Sequence, residues 1–161
     1  MLLSHSQIVL RMIIALLVGA VLGFERTKAK KAAGIRTHAL VCISSACITI
    51  ISAYGFGEFA NRNMDPARLA VGIITGIGFL GAGIIWKDPI GDVRGLTTAA
   101  NIWAAAGLGI AIGLGHYFLT FVTITLMQFA LEISKILAKM GIIEFDHHHD
   151  TRQFVDEHKE D

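Results

Sequence analysis

The chain has 161 residues, 53% of them hydrophobic before its 17 glycines are counted. With glycine added and tyrosine left out the apolar share is about 62%, against about 45–50% in soluble domains. Charged residues make up 17% with a formal net charge of +1, which excludes a disordered chain and gives no electrostatic footprint for nucleic acid. The charges are also clustered, so that 37–57, 69–86 and 95–131 contain no Asp, Glu, Lys or Arg. Stretches of that length read as bilayer spans.

Five apolar segments follow one another, at about 8–24, 38–56, 69–86, 96–114 and 117–134. At 1.5 Å per residue each is long enough, with modest tilt, for a hydrocarbon core of about 30 Å. Barrel strands would alternate over about ten residues, and runs such as Met12-Ile13-Ile14-Ala15 do not. The expected fold is all-α, a polytopic bundle of about five transmembrane helices with glycine-rich packing seams. The transmembrane domain is expected to occupy 1–138 and an acidic, histidine-containing cytoplasmic tail 139–161, too short for a second folded domain.

The first segment has the apolar core of a signal peptide, but the block that follows it contains Arg26, Lys28, Lys30, Lys31 and Arg36. Such a block resists translocation, so the segment reads as an uncleaved helix. With this block inside, alternation sets the N-terminus outside and the C-terminus in the cytoplasm. Arg11, near a helix end, is expected to snorkel outward.

In the second segment His38, Cys42, Ser45, Thr49 and Ser52 recur at helical spacing and trace one small-polar face. Two readings are open. One is a packing seam in which small residues bring backbones together; the other is a solvated path with His38 at its mouth. Cys42 and Cys47 point about 140° apart on such a helix and cannot pair with each other.

Glycine is densest in the third segment, at Gly72, Gly76, Gly78, Gly81 and Gly83, which are assigned to helix packing. Gly72/Gly76, Gly19/Gly23 and Gly109/Gly113 are small-xxx-small pairs. The letters G-x-G-x-x-G also occur at 76–81, but inside an apolar span rather than after a strand, so they do not mark a dinucleotide site.

Between the third and fourth segments lie Asp88, Asp92 and Arg94, with Thr97 and Asn101 on the helix that follows. Two carboxylates in an interfacial loop suit either a self-satisfied cap or the outer shell of a hydrated divalent cation. An amide a turn inside a span, as at Asn101, needs a partner. In the last segment the connection Leu114-Gly115-His116-Tyr117 is short enough that a re-entrant hairpin is an alternative to two full spans. The run His147-His148-His149 in the tail is a weak candidate for metal binding.

Several of these stretches together resemble a known family. Gly23-Phe24-Glu25-Arg26, Ala33-Gly34-Ile35-Arg36-Thr37-His38-Ala39-Leu40-Val41, Asp65-Pro66-Ala67-Arg68, Gly76–Gly83 and Val93-Arg94-Gly95-Leu96-Thr97-Thr98-Ala99-Ala100 look like successive signatures of the MgtC/SapB family. The resemblance covers about 20–135. It implies a bacterial inner-membrane protein linked to low-magnesium adaptation, here in a short form without the C-terminal soluble domain, and it brings the F-type ATP synthase into view as a membrane partner. It also adds Glu25, Arg26, Arg36, Thr37, Asp65, Arg68, Arg94 and Thr97 to a candidate polar site containing His38, Asp88, Asp92 and Asn101.

The functional expectation is therefore a non-enzymatic membrane protein, without a cofactor, in magnesium and membrane-energy homeostasis. It would act through the lipid bilayer, a homo-oligomer and partner membrane proteins, with no role for nucleic acid. The alternative is a magnesium or proton conduit lined by His38, Ser45, Asn101, Asp88 and Asp92. The chain has no Walker motif and no convincing nucleophile and base pair, so neither an ATP-driven pump nor intramembrane hydrolysis is expected.

Overall fold

The computed structural model of the chain describes residues 3–56, 65, 67–89 and 91–140. Five α-helices run in chain order: α1 His5–Lys28, α2 Ile35–Ile50, α3 Arg68–Ile84, α4 Leu96–Leu114 and α5 Tyr117–Lys139. A π-helical turn, Ile51–Gly55, prolongs α2, and two-residue strands β1 (Trp86–Lys87) and β2 (Val93–Arg94) pair antiparallel between α3 and α4. This small hairpin is absent from the all-α expectation; two residues a side are too few to leave an alternating pattern in the sequence. Three helical stretches, His5–Lys28, Ile35–Gly55 and Leu96–Leu114, are long and apolar enough to cross a membrane, and Arg68–Ile84 and Tyr117–Ile133 are shorter apolar helices.

The chain divides into two compact units. The first ends at Thr125 and holds α1 to α4 with the opening turns of α5; the second begins at Leu126 and holds the rest of α5. Within the first unit α2 is central, packed on α1 and α4, with α3 against α4.

Helix ends follow from local chemistry. Ser4 begins α1 with a reciprocal cap: its Oγ accepts from Gln7 N at 3.3 Å, and Gln7 Oε1 accepts from Ser4 N at 3.2 Å. The helix closes where Lys31 N donates to Arg26 O at 3.0 Å and Lys30 N to Thr27 O at 3.1 Å, with Lys30 itself at φ 51°. That is a Schellman-type end with a lysine where glycine is usual. Gly115 ends α4 at φ 85°, and His116 N donates to Ala111 O at 2.9 Å, so the short link to α5 is a closed helix cap.

The interior mixes small side chains, among them Ala15, Ala39, Cys42, Ala46, Ala99, Ala105 and Ala106, with Leu22, Ile102, Leu108 and Ile112, while Phe79 and Phe118 are each 82% exposed and Phe24, Leu40, Val71 and Phe121 also face outward. Large apolar groups gain nothing by leaving hydrocarbon, so they point to lipid while small residues let backbones meet. With these helices, this is the architecture of a polytopic membrane protein.

The backbones do meet closely, at particular glycines. A Cβ on Gly19 would lie 2.6 Å from the Cα of Ala39, one on Gly23 2.5 Å from the Cα of Ile35, and one on Gly113 2.8 Å from Ala46 O. Gly109 rests on the backbone of Cys42 and on Ser45 in the same way. The pairs Gly19/Gly23 and Gly109/Gly113 therefore form the seams, on either side of α2. The expectation placed on α3 does not hold within this chain. Gly72, Gly76, Gly78 and Gly83 have open space where a Cβ would stand, and Gly81 makes an ordinary 3.6 Å contact with Ala99.

Candidate functional site

The small-polar face of α2 turns inward. His38, Cys42, Ser45 and Thr49 are all buried, as the 4-3-4 spacing anticipates. Ser45 and Thr49 lie under Gly109 and Gly113 of α4, so this part of the face is a seam of direct contact rather than a wet path. Cys42 is buried and Cys47 exposed, and both are free.

At the end where α1 finishes and α2 and α4 begin, polar groups gather. The register follows from the glycine contacts: Gly19 and Gly23 descend α1 against Ala39 and Ile35, while Gly109 and Gly113 ascend α4 with Cys42 and Ala46. Thus α1 runs antiparallel to α2, and α4 runs parallel to it. Arg26, in the last turn of α1, is buried and donates from Nη2 to Thr98 Oγ1 of α4 at 2.8 Å. His38 is fully buried, with Nδ1 donating to Gly34 O at 2.9 Å. Asn101, 3% exposed, sits one turn along α4 from Thr98. Among the described residues, Arg26 Nε, His38 Nε2 and both amide atoms of Asn101 have no hydrogen-bond partner.

The loop after α3 is organised by Asp88. Its buried carboxylate takes Arg94 Nε on Oδ2 at 2.9 Å and Asp92 N on Oδ1 at 2.9 Å, while Asp88 N donates to Asp92 O at 2.9 Å. The carboxylate is committed to the hairpin, which is the self-satisfied alternative read from the sequence. Asp92 and Thr97 are exposed, and no group of three His, Cys, Asp or Glu side chains is arranged to hold a metal ion among the described residues. Gly95 closes the loop at φ 90°, and a Cβ there would strike the Ile84 carbonyl. Glycine is required on both counts.

Other candidates are placed elsewhere. Glu25 and Thr37 are half-buried and Arg36 is exposed. Asp65 and Arg68 are at the opposite end of the bundle, where Asp65 Oδ1 accepts from Ala67 N at 2.8 Å and Asp65 O from Arg68 N at 3.2 Å to start α3. The twelve polar candidates therefore do not form one site. His147, His148 and His149 lie outside the described residues.

Arg11 departs from expectation most clearly. It is 9% exposed and turned inward, donating from Nη1 to Gly113 O and, at 3.3 Å, to Tyr54 Oη, with its guanidinium 5.3 Å from the Tyr54 ring centroid. The terminal carbonyls of α4 lack intrahelical donors and carry the negative end of the helix dipole, which supplies what a carboxylate otherwise would. The sequence signal was a lone arginine within reach of a half-buried tyrosine, invisible without the register of three helices.

A second feature is a groove of about 560 Å³ between α2 and α3. Leu40, Val41, Ser44, Ser45 and Ile48 form one wall and Leu69, Gly72, Ile73, Gly76, Ile77 and Leu80 the other, so that it is apolar with two hydroxyl-bearing residues.

Residues 12–140 match the model of the MgtC family. The chain belongs to the MgtC family. It is 40% identical over 139 residues to the Bacillus subtilis protein named SapB, covering 84% of this chain and 60% of that one. It is 41% identical over 109 residues to Salmonella typhimurium MgtC, covering 68% and 44% respectively. An Escherichia coli relative named "Putative magnesium transporter YhiD" is 37% identical over 132 residues, 80% of this chain and 60% of that protein. The chain thus spans about three fifths or less of the length of these MgtC-family relatives. No solved structure matches it.

Proposed function

We propose that this MgtC-family chain is a non-enzymatic protein of the bacterial inner membrane that serves magnesium and membrane-energy homeostasis by docking partner membrane helices, including further copies of itself and, by family resemblance, the F-type ATP synthase. The observation that carries the reading is the contrast between the two sides of α2. Toward α4 the polar face is sealed by Gly109 and Gly113; toward α3 an apolar groove with open glycines is left uncovered. Small residues that meet nothing in their own chain fit the close approach of another helix.

The N-terminus is assigned outside and the C-terminus to the cytoplasm. Lys28, Lys30, Lys31 and Arg36 lie at the same end of the bundle as Lys87 and Arg94, and such concentrations of positive charge are retained inside. The magnesium link is carried by the name of the Escherichia coli relative YhiD.

A conduit is the competing reading, favoured by the buried polar groups of Arg26, His38 and Asn101. Reconstitution separates the two. Docking predicts no magnesium or proton flux from the purified protein in liposomes, together with a membrane complex that co-purifies with the wild type and is lost in Gly76→Leu. Flux abolished by Asn101→Ala in a folded protein would overturn it.

A further inference from the structure

The buried end of the bundle holds more donors than its own residues use. Arg26 brings a permanent positive charge into the interior, and its hydrogen bond to Thr98 is the polar contact its guanidinium makes among the described residues. His38 Nδ1 must be the donor to Gly34, because a carbonyl can only accept, so Nε2 is the ring atom left over. Side chains on a helix lean toward its start, which tips His38 and Asn101 toward the level of Arg26 and Thr98.

The backbone adds to this. α2 and α4 both begin here, and neither Gly34 nor Gly95 supplies a side-chain cap. Two helix N-termini, with their positive dipole ends, thus converge on a buried guanidinium. Buried polar atoms without partners are rare in folded proteins, and an unpaired buried charge is rarer still.

We propose that the buried polar cluster of Arg26, His38, Thr98 and Asn101 binds one phosphate-class oxyanion, either a free phosphate or the phosphomonoester headgroup of a lipid. Arg26 Nε and Asn101 Nδ2 donate to its oxygens, and a protonated oxygen, which a free phosphate monoanion or a monoester headgroup carries, donates to His38 Nε2. Lys28, Lys30, Lys31 and Arg36, on the adjoining loop and helix start, gather anions to this end. The inference stands apart from partner docking, since the cluster's residues belong to α1, α2 and α4 while the groove lies between α2 and α3.

The test uses the full chain purified in a maltoside detergent. Inorganic phosphate is titrated at constant ionic strength while Tm is recorded, and co-purified phospholipid is counted by native mass spectrometry. The expected result is either a saturable rise in Tm with phosphate or one retained phospholipid per chain, the first marking free phosphate and the second a headgroup as the source. Arg26→Gln should weaken that response at least tenfold, and Lys30→Gln should keep it. If Arg26→Gln does not fold, Asn101→Leu takes its place with the same expectation. A wild type that neither responds to phosphate nor retains phospholipid overturns the proposal, as does a response of equal size in Arg26→Gln and Asn101→Leu.

Discussion

Arg11 caps the end of α4, donating to the carbonyl of Gly113, 102 residues further along the chain, while its guanidinium lies against Tyr54. Replacing Arg11 with Met keeps the apolar stem and removes the donors. The expected cost is about 1.5–3 kcal/mol, the range for a hydrogen bond to a charged group, reduced by whatever desolvation the buried cation no longer incurs. Tyr54→Phe should cost about 0.5–1.5 kcal/mol. Thermal unfolding of the two variants in detergent checks the order; a Tyr54→Phe loss larger than that of Arg11→Met would contradict the cap.

Glycine should be replaceable at Gly76 of α3 and costly to replace at Gly113 of α4. Gly113→Ala sets a methyl 2.8 Å from Ala46 O and Thr49 Cβ, and overpacking of that kind costs about 1–3 kcal/mol. At Gly76 nothing lies within 4 Å, so Gly76→Ala should gain up to about 1 kcal/mol of helix propensity in the isolated protein. Equal Tm shifts for the two would refute the assignment of the seams.

Two residues with positive φ make opposite predictions. Lys30, at φ 51°, occupies a position that suits glycine, and Lys30→Gly should stabilise by up to about 1 kcal/mol. Gly95 has φ 90° and the Ile84 carbonyl against it, so Gly95→Ala should lower Tm steeply or prevent folding. Circular dichroism melts in one detergent decide both.

The Asp88 hairpin predicts a protease phenotype. Asp88→Ala removes the acceptor of Arg94 Nε and Asp92 N, two bonds worth together about 1–3 kcal/mol at a partly exposed loop. Tryptic cleavage after Lys87 and Arg94 should accelerate several-fold over wild type, with the helices intact by circular dichroism. Unchanged cleavage would show that the loop does not depend on the carboxylate.

The helices were legible because absence of charge over a span-length run is a strong signal, and all five apolar segments of the sequence are helical along most of their length. Their faces were legible only where polarity marked them, as at His38, Ser45 and Thr49. Glycine carries no such mark. Gly72/Gly76 and Gly109/Gly113 have the same spacing, yet one pair faces open space and the other a backbone, because the difference lies in which helices are neighbours. Arg11 and Arg26 escaped for a related reason: each finds its partner on α4, and neither partner is a carboxylate that charge counting could pair.

Along the seam, Gly109 and Gly113 rest directly on the backbone of Cys42 and Ala46 and on the short side chains of Ser45 and Thr49. Sliding or tilting either rod against the other meets steric resistance at once, and the pair moves as a single strut. The helix α3, by contrast, meets α4 at Gly81 through an ordinary 3.6 Å contact with Ala99 and is tethered by the hairpin at one tip, so it is freer to bend than the α2–α4 pair.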